Sequence, residues 1–483
     1  MASDQVEVVL ESAQFDTSNV RVHTLSGREG ISRLFAFDVG IVSTDTEEPN
    51  ADTMAGAEVS LIFLRDGIEV RKVHGMIAEV HETLETEVEH RSYRLKIVPR
   101  AFRLTLVETQ EIYMHQSVPE IIQHKLDLCG LGPSDVEMRL LGKYPKLEFV
   151  VQYRESDLAF ISRLTEHAGI SFFFEHEGHD KIVFTDHTTG FRALEEPLTF
   201  HPRGENRDIT RIESTTRLSP SMYVVQDYNY RTPQVELTGM VEVPSGFGGG
   251  IVEYGAHVKS PETAAALAQI RAEELSCRRR VFEGDSASCL LGAGTRFRLD
   301  GHARLTDGGF LVTDIEHHLT QSVLTHGHGS GGDAKPSYRG TFNATSAKLT
   351  FRPARVTPKP RIHGVLTGVV EQDPADPVGQ YAKIDDHGRY TIKLLFDTTA
   401  PGQRKASRPI RMIQPHVGAD YGMHFPLKPG VEVLLVFADG DPDRPLIVGA
   451  VPNPETPSPV TSVNSLANRL KTASGVLVEM KDI

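Results

Sequence analysis

Short runs of alternating hydrophobic and polar residues, separated by glycine, proline and aspartate, dominate this chain. Residues 6–99 are predicted to form strands and turns, because they contain no long segment of helical period. Residues 195–338 repeat the pattern with one interrupting helix, which begins at the N-cap Ser260 and has a proline in its first turn. The pattern predicts two β-barrels, the second with an inserted helix.

A stretch of mixed helix and strand lies between the two predicted barrels. Apolar residues recur at helical spacing over residues 117–129, and a second helix is predicted from the N-cap Ser156 to a stop at Gly169. The apolar run ISFFFE at residues 170–175 then predicts a strand, which a hairpin continues. The stretch therefore predicts a compact α+β unit.

Residues 379–453 have the densest turn chemistry. A tight turn at Asp385–Gly388 precedes an alternating strand, and the run VEVLLVF at residues 431–437 is apolar on both faces. That run is too short to span a membrane and is typical of a buried strand in a barrel. Five short strands in fewer than about a hundred residues predict a small closed barrel of the OB type.

Two groups of motifs resemble a known family. The sequence DDHGR at 385–389, then FPLKPGVEVLLVF at 425–437 and DGDPDRPLIVGAVPN at 439–453, resembles the OB module of VgrG proteins, the spikes of type VI secretion systems. The sequence YRESDLAFISRLTEHAGISFFFE at 153–175 resembles the VgrG hub region, which is similar to the trimeric hub of contractile phage tails. The two groups stand in the family's order, more than two hundred residues apart.

The pattern and the resemblance together predict a mainly β protein with an α+β insertion. The predicted domains are a first hub β-barrel (1–110), an α+β hub region (111–190), a second hub β-barrel with an inserted helix (191–345), a linker (346–360), an OB-fold domain (361–455) and the start of a β-helix needle (456–483). Pro358 and Pro360 are expected to stiffen the linker. Only the first strand of a needle is expected here, and such a strand gains order by association.

The resemblance implies a mechanical function. It implies a homotrimer whose paired barrels form a hub on the hexameric Hcp tube, with a PAAR-type tip protein above, baseplate proteins around it and in some cases an effector as cargo. Sheath contraction would drive this spike through a target membrane without a transmembrane segment. The protein would be cytoplasmic when assembled and then translocated into target cells, and no catalytic activity would be required.

Two alternatives from other classes remain open. A hub of a contractile phage tail or an extracellular injection system would share the same barrels. A spike with cell-wall hydrolase activity would need a domain with paired carboxylates after Asn453, where only 30 residues follow. A glycan-binding module is less consistent with an aromatic content of 7% and no tryptophan.

Composition adds several limits. The formal charge of -14 is opposite in sign to that of a nucleic-acid binder, which relies on clustered lysine and arginine. Cys129, Cys277 and Cys289 lack the spacing of a metal site or a disulfide framework, and are expected to be reduced and buried. Residues 1–9 contain no basic segment followed by an apolar one, so no signal peptide is predicted.

Three aspartates raise a calcium hypothesis. Asp439, Asp441 and Asp443 have the one-three-five spacing of an EF-hand loop. Such a loop also needs glycine at its sixth position and glutamate at its twelfth, where this chain has Arg444 and Ala450. The cluster is therefore predicted to form a turn.

Histidines raise a zinc or nickel hypothesis. His317, His318, His326 and His328 lie close together in the sequence, but no cysteine or carboxylate stands at ligand spacing beside them, and they are expected to be solvated. The sequence HEGH at 176–179 lacks the helical spacing of a zinc protease motif. No nucleophile elbow, P-loop or dinucleotide motif occurs. The sequence therefore predicts no catalytic, cofactor-binding or metal-binding residue.

Overall fold

A computed structural model describes residues 6–43, 49–84, 90–202, 208–305, 309–322, 337–373, 382–399 and 406–482. The chain forms two compact units that interleave along the sequence. Unit 1 comprises residues 1–107, 118–144 and 157–358, and unit 2 comprises residues 108–117, 145–156 and 359–483. The predicted division into six segments is finer than this and remains a prediction.

Strands outnumber helices in both units, which confirms the mainly β prediction. The α-helices are α1 (Ala51–Met54), α2 (Val118–Leu128), α3 (Asp157–Ala168) and α4 (Pro261–Arg279). The strands are β1 (Val6–Ser12), β2 (Val20–Gly30), β3 (Ala36–Ser43), β4 (Glu58–Arg65), β5 (Ile68–Glu82), β6 (Arg91–Val98), β7 (Glu108–Tyr113), β8 (Val136–Arg139), β9 (Val150–Ser156), β10 (Ser171–Glu175), β11 (Lys181–Thr185), β12 (Leu198–Thr199), β13 (Ile209–Thr216), β14 (Met222–Asp227), β15 (Leu237–Glu242), β16 (Gly250–Tyr254), β17 (Arg280–Ser286), β18 (Arg296–Asp300), β19 (Gly309–Thr320), β20 (Ser337–Ser346), β21 (Leu366–Val370), β22 (Arg389–Tyr390), β23 (Ile392–Leu394), β24 (Ile410–Arg411), β25 (Val417–Gly418), β26 (Tyr421–Gly422), β27 (Glu432–Phe437), β28 (Pro445–Ala450), β29 (Ala467–Lys471) and β30 (Leu477–Lys481).

The first six strands of unit 1 curl around one hydrophobic core. They are hydrogen-bonded in the order β1-β4-β5-β6-β3-β2, and their inward residues alternate with outward ones, as in the pattern of β1. The side chain of Gln321 bridges the two ends of this set. Its amide donates to the carbonyls of Val8 (3.0 Å) and Val22 (2.6 Å), and its Oε1 accepts from the Val8 amide (2.9 Å).

A second set of strands in unit 1 surrounds its own core. Strands β13, β17, β20, β19, β18 and β12 are joined in that order, and a bridge between Phe200 and Ile209 links the two ends. The prediction of two separate barrels did not include their junction. The first half of β19 pairs with β18 and its second half pairs with β2, so one long strand joins both sets into a continuous twelve-stranded sheet.

The helices of unit 1 begin and end near the predicted signals. Helix α2 lies within the predicted residues 117–129, and α3 begins directly after Ser156 and ends before Gly169, whose φ of +71° favours glycine. Strands β10, β11 and β8 form a small sheet in this region.

Helix α4 packs on the three-stranded sheet β15-β14-β16. Its N-cap Ser260 accepts a hydrogen bond from the Thr263 amide (3.3 Å), as the sequence predicted. A Cβ atom at Gly239 would come within 2.2 to 2.4 Å of backbone atoms of Ala264 and Ala265. Glycine is therefore required for this close contact between strand and helix. Among the described helices, including α4, none has the length and hydropathy needed to cross a membrane.

Unit 2 contains the predicted OB module and two strands from the middle of the chain. Its main sheet has the order β23-β21-β27-β28, and β22 pairs with β24. Strands β7 and β9 pair with each other, and their region contributes Ile112, Phe149, Val151 and Tyr153 to the same core as the OB strands. The carboxylate of Asp443 accepts a hydrogen bond from the Val151 amide (2.7 Å).

The C-terminal residues form a hairpin of β29 and β30. The two strands are antiparallel partners of each other, in a register that places Leu470 opposite Val478. This hairpin occupies the position predicted for the start of a needle, but it has two strands where the sequence predicted one, and the β-helix itself remains a prediction.

Candidate interaction surfaces

The aspartate loop of unit 2 pairs with the chain's own cations. The Lys359 ammonium lies 2.6 Å from Asp441 and 2.7 Å from Asp443, and Arg361 lies 3.0 Å from Asp439. Asp439 begins the turn with a φ of +54°. These pairs support the predicted turn, because they neutralise carboxylates that a calcium loop would direct at the ion.

The expectation that His317 is solvated is wrong. In β19 the alternation places Ile315, His317 and Leu319 inward, and the His317 side chain is fully buried. Its Nε2 bonds to a Glu29 carboxylate oxygen (2.8 Å), and its Nδ1 bonds to the hydroxyl of Tyr338 (2.6 Å). Burial lowers the pKa of this imidazole. His318 on the next position is exposed, and His326 and His328 lie outside the described residues.

Glu29 is the centre of this buried polar cluster. Arg71 forms an ion pair with it and also donates to the carbonyl of Leu291 (2.7 Å). Burial alone would raise the pKa of Glu29, but Arg71 and His317 outweigh burial and hold that pKa well below its usual range. The cluster therefore contains a carboxylate with partners on two sides, which suits a structural role.

The remaining chemical candidates are His176 and the cysteines. Cys277 and Cys289 are buried, but Cys129 is only half-buried, so the expectation of burial is wrong for Cys129. His176 follows β10, and its Nδ1 accepts a hydrogen bond from the His74 amide (3.2 Å). Desolvation lowers the pKa of His176 to about 3. Burial raises the pKa of the Cys129 and Cys277 thiols, which makes both poor nucleophiles at neutral pH. In unit 1, Lys125 and Asp157 form a further ion pair of 2.9 Å with side chains 0% and 2% exposed.

Apolar side chains, in contrast, are exposed at many of the described positions, and three groups of them lie close together on strands or hairpins. The first is the face of the β14–β16 sheet opposite α4. Across the three strands, Met240 and Val252 flank the buried Val224, and Tyr254 stands at the end of β16 with 70% exposure. An apolar stripe of this kind on a sheet face indicates an interaction surface.

The second place is the β25–β26 hairpin of unit 2. Val417, Tyr421, Met423 and Phe425 are all exposed there, and the ring of Tyr421 lies 5.4 Å from that of His416. The sequence motifs gave this segment no role. Its signal was available in the sequence as four large apolar residues within a loop that contains Gly418, Asp420 and Gly422.

The third place is the C-terminal hairpin. Its register puts Leu470, Val478 and Met480 on one face, all exposed, while Arg469 and Glu479 form an ion pair of 2.6 Å on the other. An isolated two-stranded hairpin is at best marginally stable in water. The exposed apolar face therefore favours association with further strands.

Two family models match the chain. The model described as phage tail baseplate hub (GPD) matches residues 28–323. The model described as type VI secretion system/phage-baseplate injector OB domain matches residues 381–451. The two matches fall in the hub strands and in the OB module that the sequence motifs indicated.

Individual proteins resemble the chain over most of its length. It is 29% identical over 460 residues, 91% of the chain, to the type VI secretion system spike protein VgrG4b of Pseudomonas aeruginosa. The chain spans only 55% of that relative's length. Among solved structures, the E. coli c3393 protein, a component of the type VI secretion system, matches with a TM-score of 0.66 and 24% identity, covering 92% of this chain and 100% of that one. A chain of the Francisella PdpA-VgrG complex matches with a TM-score of 0.61 and 9% identity, covering 99% and 83%.

Proposed function

The chain belongs to the phage tail baseplate hub family and to the VgrG proteins within it, and we propose that it acts as a trimeric spike on the Hcp tube of a type VI secretion system. The observation that carries the proposal is the order of the two matches in one chain. A hub match over residues 28–323 precedes an injector OB match over residues 381–451.

The trimer is the first element of the proposal. Each chain carries two sets of barrel strands around separate cores, so three copies would present six barrels. Six similar barrels in a ring would suit a hexameric tube, since contacts could then repeat around a common axis. The exposed apolar face at Leu470, Val478 and Met480 supports association, because neighbouring copies would cover it.

The second element is mechanical action. A contractile sheath would supply the work, so the chain would need rigidity and no active site. The Gln321 bridge and the paired charges around Glu29 support this role, because both hold strands together within unit 1. The protein would assemble in the cytoplasm and pass into the target with the tube.

Partners form the third element. A PAAR-type tip, baseplate proteins and an effector are proposed from the family. The Francisella VgrG occurs in complex with PdpA, which supports a bound partner of this kind.

Light scattering of the purified chain, followed by mixing with Hcp, tests the proposal. A mass of about 160 kDa, three times the 53.3 kDa of one chain, together with Hcp binding is expected. A clean monomer that does not bind Hcp at micromolar concentration would contradict it. A trimer that does not bind Hcp would favour a second candidate function, the hub of a contractile phage tail. The match to the phage tail baseplate hub family supports that candidate.

A further inference from the structure

The segment Arg352–Thr357 lies on unit 1 without regular secondary structure, and we refer to it as the strap. It follows β20 and the buried Phe351, and it ends one residue before Pro358, the last residue of unit 1. Proline in the sequence favoured a stiff linker here. The structure shows side chains on α3, α4, β14 and β16 of unit 1 holding the strap in place.

Arg352 makes the first anchor. Its guanidinium donates to the carbonyls of Gly169 (2.9 Å) and Asp186 (2.9 Å) and to the carboxylate of Glu273 in α4 (2.7 Å). Its own carbonyl accepts from Arg278 (2.9 Å). One residue therefore connects the end of α3, the end of β11 and the middle of α4.

Arg355 makes the second anchor, on the α4 layer. Its guanidinium lies 2.8 Å from Glu253 in β16 and donates to the Tyr223 hydroxyl in β14 (2.7 Å). Glu253 also accepts from the fully buried Arg271 of α4 (3.1 Å). Arg355 of the strap and the buried Arg271 of α4 thus bind the same carboxylate, that of Glu253.

Glu166 of α3 makes the third anchor. Its side chain is nearly buried, and its two oxygens accept from the amides of Val356 (3.0 Å) and Thr357 (2.9 Å) and from the Thr357 hydroxyl (2.7 Å). Three hydrogen bonds accepted by one carboxyl group are strong in sum and geometrically specific. They fix the backbone of the strap at its C-terminal end.

The position of the strap in the chain has a mechanical consequence. Without it, tension on the chain at Pro358 would act on the buried Phe351 and then on β20, and would separate the hydrogen bonds of β20 to β19 and β17 from the end of the strand. When the strap is in place, the same tension acts first on the contacts of Glu166, Arg355 and Arg352. These anchors attach to helices and to a second sheet, so they distribute the force away from the end of β20.

We propose that Arg352–Thr357 is a force-bearing strap that fastens the chain to α3 and α4 where it leaves unit 1, and so protects β20 from being peeled out of the hub sheet. The relevance of force rests on the proposed function as a driven spike. The strap itself is a property of the folded chain and is measured without a secretion apparatus.

Limited trypsin digestion of the full chain gives the first test. Proline follows Arg352 and Lys359, so the strap has one good cleavage site, the Arg355–Val356 bond. We expect Glu166→Ala to raise the initial cleavage rate at this bond about tenfold or more, because the anchored backbone must open before it is cut. Glu166→Gln keeps an acceptor and is expected to lie between wild type and Glu166→Ala.

Glu316→Ala is the matched control, since its carboxylate forms an exposed pair with Arg28 (3.1 Å) in the same unit. It should leave cleavage at Arg355 unchanged. Thr357→Ala removes one hydroxyl contact of the strap without changing α3. It should raise cleavage severalfold, and it shows the effect of the strap even if the Glu166 variant fails to fold. Equal cleavage in wild type, Glu166→Ala and Thr357→Ala would overturn the strap.

Forced unfolding gives the second test. Handles are attached through Ile68→Cys and Pro358→Cys, two exposed positions of unit 1. Wild type should resist until the strap and β20 yield together. The Glu166→Ala/Arg352→Ala chain, which keeps only the Arg355 anchor, should rupture at a lower force and extend early by at most about 20 Å, the contour of the six residues of the strap. Identical rupture forces and steps would refute the proposal, whatever the oligomeric state or Hcp binding of the protein.

Discussion

Unit 1 and the C-terminal hairpin place their polar and apolar groups in opposite ways. Unit 1 buries charged side chains, among them Lys125 with Asp157 and Glu29 with Arg71, and each has its partner in the same chain. The hairpin pairs its charges at the surface and exposes its apolar face. Buried charges require that the partner be present whenever the unit is folded. Exposed apolar groups contribute hydrophobic stabilisation only when another molecule or segment covers them and removes them from water.

This difference indicates that the buried charges of unit 1 have their partners within one chain, whereas the apolar face of the hairpin has no cover among the described residues. The OB core of unit 2 shows a third kind of dependence. It is complete within one chain but not within one continuous stretch of sequence, because β7 and β9 come from residues 108–156.

The largest effect is expected when residues 359–483 are produced alone. This piece lacks Ile112, Phe149, Val151 and Tyr153, which belong to the OB core. Loss of four buried side chains, each contributing about 2 to 5 kcal/mol, exceeds the stability of a small domain. We expect no cooperative unfolding transition in urea by circular dichroism. A cooperative transition in the piece would show that the OB strands suffice.

Next comes Lys125→Met in the full chain. This change leaves the Asp157 carboxylate buried without the ammonium that lies 2.9 Å away. Breaking a buried ion pair from one side costs about 3 to 5 kcal/mol of unfolding free energy. Urea unfolding measures the loss, and adding Asp157→Asn should recover part of it.

Arg28→Ala, at an exposed pair with Glu316, should cost less than about 1 kcal/mol. Equal costs at the two sites would contradict the comparison.

The sequence predicted what local pattern determines. Helix α3 was recognised from Ser156, its apolar stripe and Gly169, and α4 from Ser260 and the proline that follows. Alternation over residues 389–396 likewise predicted one face with Tyr390, Ile392, Leu394 and Phe396; the first three are buried, and Phe396 is half-buried. In each case the deciding residues are within a few positions of one another, so their periodicity is visible in a single sequence.

The sequence did not predict what long-range pairing determines. Strand β19 joins both barrel sets because its two halves have different partners, and no local pattern identifies β2 as one of them. Burial of His317 was missed for the same reason, since its partners Glu29 and Tyr338 come from other strands. The alternation of Ile315, His317 and Leu319 was the available signal. The high density of histidines favoured a zinc or nickel hypothesis instead.

A smaller effect is expected from acid. Desolvation lowers the pKa of His176 to about 3, so the folded state stays neutral there while the unfolded chain takes up a proton below about pH 6.5. The contribution of His176 to the free energy of unfolding is therefore greatest above about pH 6.5 and decreases as the pH falls below that value. One such histidine accounts for about 1 to 2 kcal/mol between pH 7 and 5. The charged groups that act on it are Glu29, Arg71, His74 and Arg192.

His176→Asn tests this contribution, because an asparagine oxygen can still accept from the His74 amide while the titration is lost. Urea unfolding of the variant between pH 7 and 5 should have a flatter pH dependence than that of the wild type. His318→Asn, at an exposed position on β19, should leave the pH dependence unchanged. An unchanged slope in His176→Asn would mean that other groups carry the acid sensitivity of unit 1.

The smallest effect on the free energy of unfolding is expected from Leu470→Ser/Val478→Ser in the hairpin. Both side chains are already exposed within one chain, so the change should be under about 0.5 kcal/mol. The same substitutions should lower the mass in light scattering from the trimer value toward 53.3 kDa, because they remove the face that copies would share. Lys471→Ser/Lys481→Ser alters the opposite face and should keep the trimer. If the first variant loses several kcal/mol with its mass unchanged, the hairpin is stabilised within its own chain, and the contrast with unit 1 fails.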